Sequence, residues 1–382
     1  MGTGKDHMKV PLLDLKLQFQ PIRRELLGTI EEVCDDQGFV LGTRVEQFEQ
    51  VLGKYVGTGH AVGVASGSDA LLLSLVALDV RPGDEVITVP FTFFSTAGVI
   101  SRLGATPVFV DIQATSFNLD ADQLVAKITS RTKAIIPVHL FGQCAEMEKI
   151  SAVAAEYDIP VIEDACQAIG AARNGVRAGG FGTTGCFSFF PSKNLGGFGD
   201  GGIVTTHDEK IADRLRALRV HGSRSDYHHH LIGMNSRLDA LQAAVLQSKL
   251  PYLDEWTEKR RSNAQEYARL FQEAGLLDRV TLPVAATSNY HVFNQYTIRT
   301  TQRDQLSAYL TKQGIGNKIY YPVPLHLQEC YQVLGYEKGQ FPVSEQTAHE
   351  VLSLPIYPEL SSEQLSYVVR MIKEFFEISD TN

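Results

Sequence analysis

Cysteine is scarce in this chain: five in 382 residues, at positions 34, 144, 166, 186 and 330, with no CxxC spacing. That argues against a disulfide framework and fits reduced thiols in a cytoplasm, where we expect the protein. Cys166 and Cys186 fall in apolar runs and read as buried small hydrophobes. No apolar run approaches the length of a membrane span, and the first residues lack a signal core, so no membrane association is expected. Basic residues are outnumbered, 35 against 44 acidic, giving net charge −9 with no basic cluster. Nucleic acid is therefore not an expected partner, and any phosphate must be held by local groups. Met1–His7, ahead of Met8, reads as appended sequence and is set aside.

What the chain does have is 44% apolar and 21% charged residues, enough for a soluble protein of two domains. From about residue 60 to residue 206, short β-rich runs alternate with helical segments. The expected strands are His60–Ala65, Glu85–Val89, Pro107–Asp111, Lys133–Val138, Pro160–Glu163, Cys186–Phe190 and Gly202–Thr205. Helices are expected at Ser68–Leu78, Leu119–Ile128 and Met147–Tyr157. Several strands are apolar on both faces, the mark of an α/β sheet, mostly parallel and covered on each side. A helical stretch Lys210–Arg219 leads to a histidine-rich segment, and a long helical region from Arg237 to Ala274 breaks at Pro251. The remainder reads as a smaller α+β unit, with strands Val292–Arg299 and Asn317–Tyr321 and helices Arg303–Gln313, Ser344–Leu352 and Ser362–Phe376. We expect a large cofactor-binding domain over residues 8–255 and a small C-terminal domain over 256–382, with the N-terminal segment packing on the small one.

Chemistry concentrates at strand ends. Asp164 closes an apolar strand, where open parallel sheets bind ligands, although a helix cap is the plainer reading of an isolated aspartate. Lys193 follows the strand Cys186–Phe190 and precedes Gly196-Gly197-Phe198-Gly199-Asp200-Gly201-Gly202, a loop too rich in glycine to be ordinary surface. Together they suggest a lysine held as an imine and a carboxylate gripping a ring nitrogen, the chemistry of pyridoxal phosphate (PLP). Ser66-Gly67-Ser68-Asp69 opens a helix as a capping box whose N-terminus offers N–H groups to a phosphate. Ser188 could add a hydroxyl, Phe93 could stack on a flat ring, and Gln167 could meet the cofactor's phenolic oxygen or stack beneath its ring. His228-His229-His230 lacks the spacing of a metal site, so no metal is expected, and these read as loop residues near substrate.

In its ordered motifs the chain resembles the DegT/DnrJ/EryC1/StrS sugar aminotransferases. They are Ser66–Ala70, Pro82–Ile87, Phe91-Thr92-Phe93, Glu163-Asp164-Ala165, Ser188–Lys193, Gly199–Gly202, Asn235–Asp239 and Tyr321–Leu325. The likeness runs from about Val10 to beyond Tyr357. It implies the PLP-dependent transferase fold type I, with a mixed, mostly parallel seven-stranded sheet. It further implies that Lys193 holds the cofactor and shuttles the proton. Asp164 pairs with the ring nitrogen, Phe93 stacks, Gln167 sits near the phenolic oxygen, and Gly67, Ser68 and Ser188 hold the phosphate. Asn235 would reach that phosphate in the other subunit of a homodimer.

The same likeness implies transfer of an amino group from L-glutamate to a nucleotide-linked keto sugar. The carbon implied is C3 of a UDP-2-acetamido-3-oxo-hexose or hexuronate, for surface polysaccharide or amino-sugar synthesis. Tyr227, His228, His229, Arg237, Tyr320 and Tyr321 are the residues expected at the sugar, with an Arg237–Asp239 ion pair as the structural alternative for that arginine. Tyr320-Tyr321 departs from the His-Tyr of the uronate enzymes. A dTDP-3-keto-6-deoxyhexose and a 4-keto sugar stand as alternatives, as do a dehydratase or epimerase reaction and a PLP- or sugar-binding regulator.

Overall fold

A computed structural model describes residues 8–225 and 227–380; Met1–His7, set aside above, lies outside the described residues. The first five expected strands form as β1 (His60–Val64), β2 (Glu85–Thr88), β3 (Thr106–Phe109), β4 (Thr132–Ile135) and β5 (Ile162–Asp164). A short hairpin of β6 (Ala172–Arg173) and β7 (Val176–Arg177) precedes β8 (Thr184–Ser188) and β9 (Gly202–Thr206). Two blocks, β1-β9-β8-β5 and β3-β2-β4, are joined by parallel bridges between Ile135 and Val161 and between Val138 and Asp164. Seven strands thus lie side by side, with β9 antiparallel to both its neighbours and the other pairings parallel. β2, β5 and β9 are buried along their whole length, as strands covered on both faces must be.

Helices α1 (Leu15–Asp36), α2 (Thr43–Val56), α3 (Gly67–Ala77), α4 (Ser95–Arg102), α5 (Met147–Glu156), α6 (Glu209–Leu218) and α7 (Ala240–Lys249) accompany this sheet. α3 packs against β8, β9, α4 and α6 and is apolar nearly all round, burying Leu71, Leu72, Leu73 and Leu75. Each such leucine contributes roughly 1.5–3 kcal/mol of burial, so the position of α3 on the sheet is firmly held. Beyond α6, β10 (Ser223–Ser225) and β11 (His228–His229) form a small hairpin.

α8 (Leu253–Glu273) leads into β12 (Asn289–Tyr290), β13 (Tyr296–Arg299), α9 (Arg303–Lys312), α10 (Pro342–Glu350), β14 (Val351–Leu354) and α11 (Ser362–Asp380). These elements share a second core around Tyr267, Phe271, Ile298, Leu306, Leu352 and Ile372, which Val10 joins through a bridge to Ile315.

Four expected elements are corrected. Leu119–Ile128 is not a helix but two short 3₁₀ turns, because Asp120 accepts the Asp122 N–H and Asn118 is committed to Gln143 and Leu140. The helix expected over Ser344–Leu352 stops at Glu350. There Arg303 takes the carbonyls of Ala348 and Val351, and Val351 begins β14. Of Val292–Arg299 only β13 pairs; β12, before it, pairs instead with β6. Asn317–Tyr321 keeps one bridge, Lys318 with Ser353, while the Tyr321 ring turns in beside Phe91 and Phe93.

Candidate active site

Asp164 ends β5, Ser188 ends β8 and Gly67 starts α3, so all three meet at the carboxyl edge of the sheet. Asp164 is only 6% exposed. Its Oδ2 accepts from the Thr96 hydroxyl at 2.8 Å and its Oδ1 from the Cys166 N–H at 3.2 Å. Its backbone is clamped between Pro137 and His139 on one side, while the adjacent Ala165 N–H donates to Cys186. The neighbouring Glu163 points to the opposite face, as strand alternation requires. There its carboxylate accepts from the N–H groups of Gly179, Phe181 and Gly182 and from His139 Nε2. Because His139 Nδ1 accepts from the Ala145 N–H, the ring proton sits on Nε2, and a neutral imidazole donates to Glu163. The segment carrying Asp164 is pinned from both faces.

Lys193 follows a turn closed by its own N–H to the Phe190 carbonyl at 2.8 Å. Burial lowers the pKa of its amine, and Cys166 and Asp164 pull the other way. The Cys166 thiol is itself pushed well up, chiefly by burial and then by Asp164, so it stays protonated. The charge that faces Lys193 is therefore the Asp164 carboxylate. A lowered pKa puts more of the amine in its uncharged form, the form that attacks an aldehyde.

The end of β8 and the start of α3 approach through backbone. A Cβ on Gly67 would stand 2.6 Å from Ser188 Cβ and 2.8 Å from Cys166 Sγ, and one on Gly202 would stand 2.4 Å from the Ser66 carbonyl carbon. Only glycine lets these segments approach so closely. Ser66 caps α3, accepting the Asp69 N–H at 3.1 Å, while the Asp69 carboxylate accepts from the Ser236 hydroxyl at 2.7 Å. Ser68 and Ser95 share a hydroxyl contact of 2.5 Å, which brings the starts of α3 and α4 together. Two helix N-termini, two hydroxyls and a glycine gap fit a phosphate.

An aromatic wall stands across from it. Phe93 is 56% exposed, with Tyr321 at 6.4 Å between ring centres. Gln167 Oε1 accepts from the Phe141 N–H at 2.8 Å, and its Nε2 donates to the Tyr321 hydroxyl at 3.0 Å. Burial raises the Tyr321 phenol, so it remains a donor whose own proton is still available. An acid at one end, an amine, a phosphate cradle and a flat wall make a site suited to a phosphorylated pyridine aldehyde.

A sequence model of the DegT/DnrJ/EryC1/StrS aminotransferase family matches residues 20–373. The chain belongs to that family. It is 51% identical over 369 residues to a pleiotropic regulatory protein of Geobacillus stearothermophilus, covering 97% of this chain and 99% of the relative. It is 45% identical to a UDP-N-acetyl-3-dehydro-α-D-glucosamine 3-aminotransferase of Acidithiobacillus ferrooxidans, covering 95% and 97%. The crystal structure of Streptomyces venezuelae DesV in complex with a ketimine intermediate superposes with a TM-score of 0.93 at 42% identity, covering 97% and 99%. This DegT/DnrJ/EryC1/StrS protein is thus a sugar aminotransferase of fold type I, and pyridoxal phosphate is its cofactor.

In this family member Gly67, Ser68, Phe93, Asp164, Gln167, Ser188, Lys193 and Tyr321 come together at one sheet edge. The other expected residues lie apart from that cluster or at its rim. Tyr320 is half-buried beside Tyr321, at 5.8 Å between rings. Tyr227 is 95% exposed, and His228 and His229 are not free loop residues but the edge strand of the small hairpin. Asn235 is exposed and bridges Val220 through its backbone; Arg237 is half-buried and forms no ion pair with Asp239 among the described residues.

Cys166 is corrected too: it lies just past β5 and half-buried in the site, not inside a strand. Thr96, Ser95 and His139 also belong to the site's surroundings. Ser95-Thr96, directly after the aromatic pair Phe93-Phe94, is the sequence signal for the first two, and His139 has none.

Proposed function

We propose that this aminotransferase moves the amino group of L-glutamate to C3 of a UDP-linked 2-acetamido-3-oxo-hexose, in the making of amino sugars for surface polysaccharide. The observation that carries the reading is Lys193: a desolvated amine facing Asp164, next to a glycine cradle formed by α3 and the end of β8. PLP, when bound, stores the amino group between donor and acceptor and draws electrons from the carbon that bears it. Lys193 would hold the cofactor through its amine and would take up and return a proton there. Asp164 would keep the ring nitrogen protonated, Phe93 would cover the ring, and Gln167 with Tyr321 would serve the phenolic oxygen. The N–H groups at Gly67 and Ser68, with the Ser188 hydroxyl, hold the phosphate.

The working unit we propose is a homodimer. Asn235 and the hairpin bearing Tyr227, His228 and His229 are exposed in a single chain and would complete the site of a second copy. Arg237, Tyr320 and Tyr321 would meet the sugar nucleotide. Residues 8–255 and 256–382 would act as a large and a small domain. The choice of a UDP-linked 3-oxo sugar is supported by the 45% identical aminotransferase described above.

The test is a panel of UDP- and dTDP-linked 3-keto and 4-keto sugars generated in place, with and without glutamate, followed by mass measurement of the product. A glutamate-dependent amino product from the UDP 3-keto-N-acetyl sugar supports the reading; amination confined to dTDP or 4-keto sugars overturns the substrate. A regulatory role has one observation in its favour, the name of the 51% identical relative. It predicts that glutamate leaves the bound cofactor's absorption unchanged.

A further inference from the structure

We propose that Thr96 is a positioning residue: its hydroxyl aims the Asp164 carboxylate at the cofactor's ring nitrogen and couples that aim to the segment bearing Phe93. The inference rests on the role given to Asp164 above.

Thr96 lies in the first turn of α4 and is fully buried. Its hydroxyl oxygen is 2.8 Å from Asp164 Oδ2, 3.2 Å from the Phe93 carbonyl and 3.2 Å from Thr92 Oγ1. A threonine hydroxyl has one proton and two lone pairs. Two acceptors, the carboxylate and the Phe93 carbonyl, therefore compete for that proton. An ionised acceptor makes the shorter and stronger bond, and the shorter distance is the one to Asp164. The Thr92 hydroxyl can then donate to the Thr96 oxygen, so the buried chain of hydroxyls runs toward the carboxylate.

The consequence is rotational. The terminal torsion of an aspartate is soft, and one hydrogen bond leaves the group free to pivot about the bonded oxygen. Here the Cys166 N–H takes Oδ1 and Thr96 takes Oδ2, one donor on each oxygen. Among the described residues Thr96 gives this carboxylate its one hydroxyl donor, and the Cys166 thiol beside it is a weaker one. Without its hydroxyl the carboxylate would swing about Oδ1, and the plane it presents to the ring nitrogen would no longer be set. The same hydroxyl touches the carbonyl of Phe93, so the acid at the ring's edge and the aromatic at its face are placed by one atom.

The experiment compares Thr96→Val, which swaps the hydroxyl for a methyl, with Thr96→Ser and Thr96→Cys, each alone and in an Asp164→Asn background. Full-length proteins are assayed for PLP affinity by equilibrium dialysis, for the pH midpoint of the bound cofactor's visible absorption, and for melting temperature. Thr96→Val should weaken PLP binding by about tenfold and shift the pH midpoint, with Thr96→Ser within about twofold of wild type and Thr96→Cys between them. In the Asp164→Asn background the valine effect should shrink to about twofold or less. A Thr96→Val protein with unchanged affinity and pH midpoint overturns the proposal. So does a loss of the same size in both backgrounds, which would mean that Thr96 acts by packing alone. If the valine variant does not fold, an equal affinity for the serine and cysteine variants is the overturning result. Should Asp164→Asn itself bind PLP like wild type, the failure belongs to the role of Asp164 instead.

Discussion

Two lysines in this chain have lost much of their hydration, and their surroundings differ. Lys193 interacts with the Asp164 carboxylate. Lys249, the last residue of α7, is 5% exposed, donates to the Gly196 carbonyl, and lies 5.8 Å from the Phe198 ring and 6.0 Å from Trp256. Burial alone takes its pKa down to about 8. It lines an apolar groove of about 350 Å³ under α1, with Leu15, Phe19, Ile22 and Phe198. A lowered amine pKa is thus no mark of chemistry by itself; a facing acid and the glycine gap between α3 and β8 are what separate the two. Lys249 instead braces the loop that carries Lys193, together with Gln242 one face along the same helix, whose Oε1 accepts the Phe198 N–H at 2.7 Å.

The contrast is most open to attack at the amine. Lys193→Ala should lower turnover by on the order of 10³-fold or more, and borohydride reduction of the holoenzyme should place its label on Lys193. Lys249→Met should keep the label where it was. A label on Lys249 would reverse the assignment. Next in size is the acid: Asp164→Asn should cost about 10²-fold in turnover, read by steady-state kinetics, with the fold intact. Gly67→Ala should act on the cradle. Its new Cβ would press on Ser188 Cβ at 2.6 Å and Cys166 Sγ at 2.8 Å, so PLP affinity should fall about tenfold and stability by ~1–3 kcal/mol. An alanine variant that binds PLP as tightly as wild type would show that the gap at Gly67 is not part of the cradle.

The same two surroundings show what could be read in advance. The strand carrying Asp164 was legible because it is apolar on both faces, and the glycine run after Lys193 because few folds tolerate so many glycines without a ligand. Nothing local in the sequence marks Lys249, since its burial depends on α1, more than two hundred residues earlier in the chain. Thr96 was hidden for a like reason: a buried threonine is common, and its partner stands 68 residues away. Local rules failed where tertiary bonds outcompeted them. Asp120 and Asn118 broke the helix expected over Leu119–Ile128 by spending their side chains on nearby or distant backbone groups. The Tyr320-Tyr321 run has strand composition, yet Tyr321 is committed to Gln167 and not to a ladder.

The smallest effect isolates Lys249 by pH. In the folded chain its pKa is about 8, against 10.5 for the ordinary amine of the unfolded chain. Between those values the unfolded chain holds a proton that the folded one lacks, so this group makes stability rise with pH through that window. Below about pH 8 both states are charged, and the cost of burying an unpaired ammonium is present in full. The bond to Gly196 and the two rings offset part of it. Lys249→Met removes the charge and the bond together. Relative to wild type the variant should be more stable at pH 7 by about 1–2 kcal/mol, and that advantage should shrink steadily from pH 8 to 10. Urea unfolding at several pH values measures the difference directly. A difference that stays flat across the window would mean that Lys249 keeps its proton at the ordinary pKa. The two lysines would then be distinguished by hydration as well as by the acid that faces only one of them.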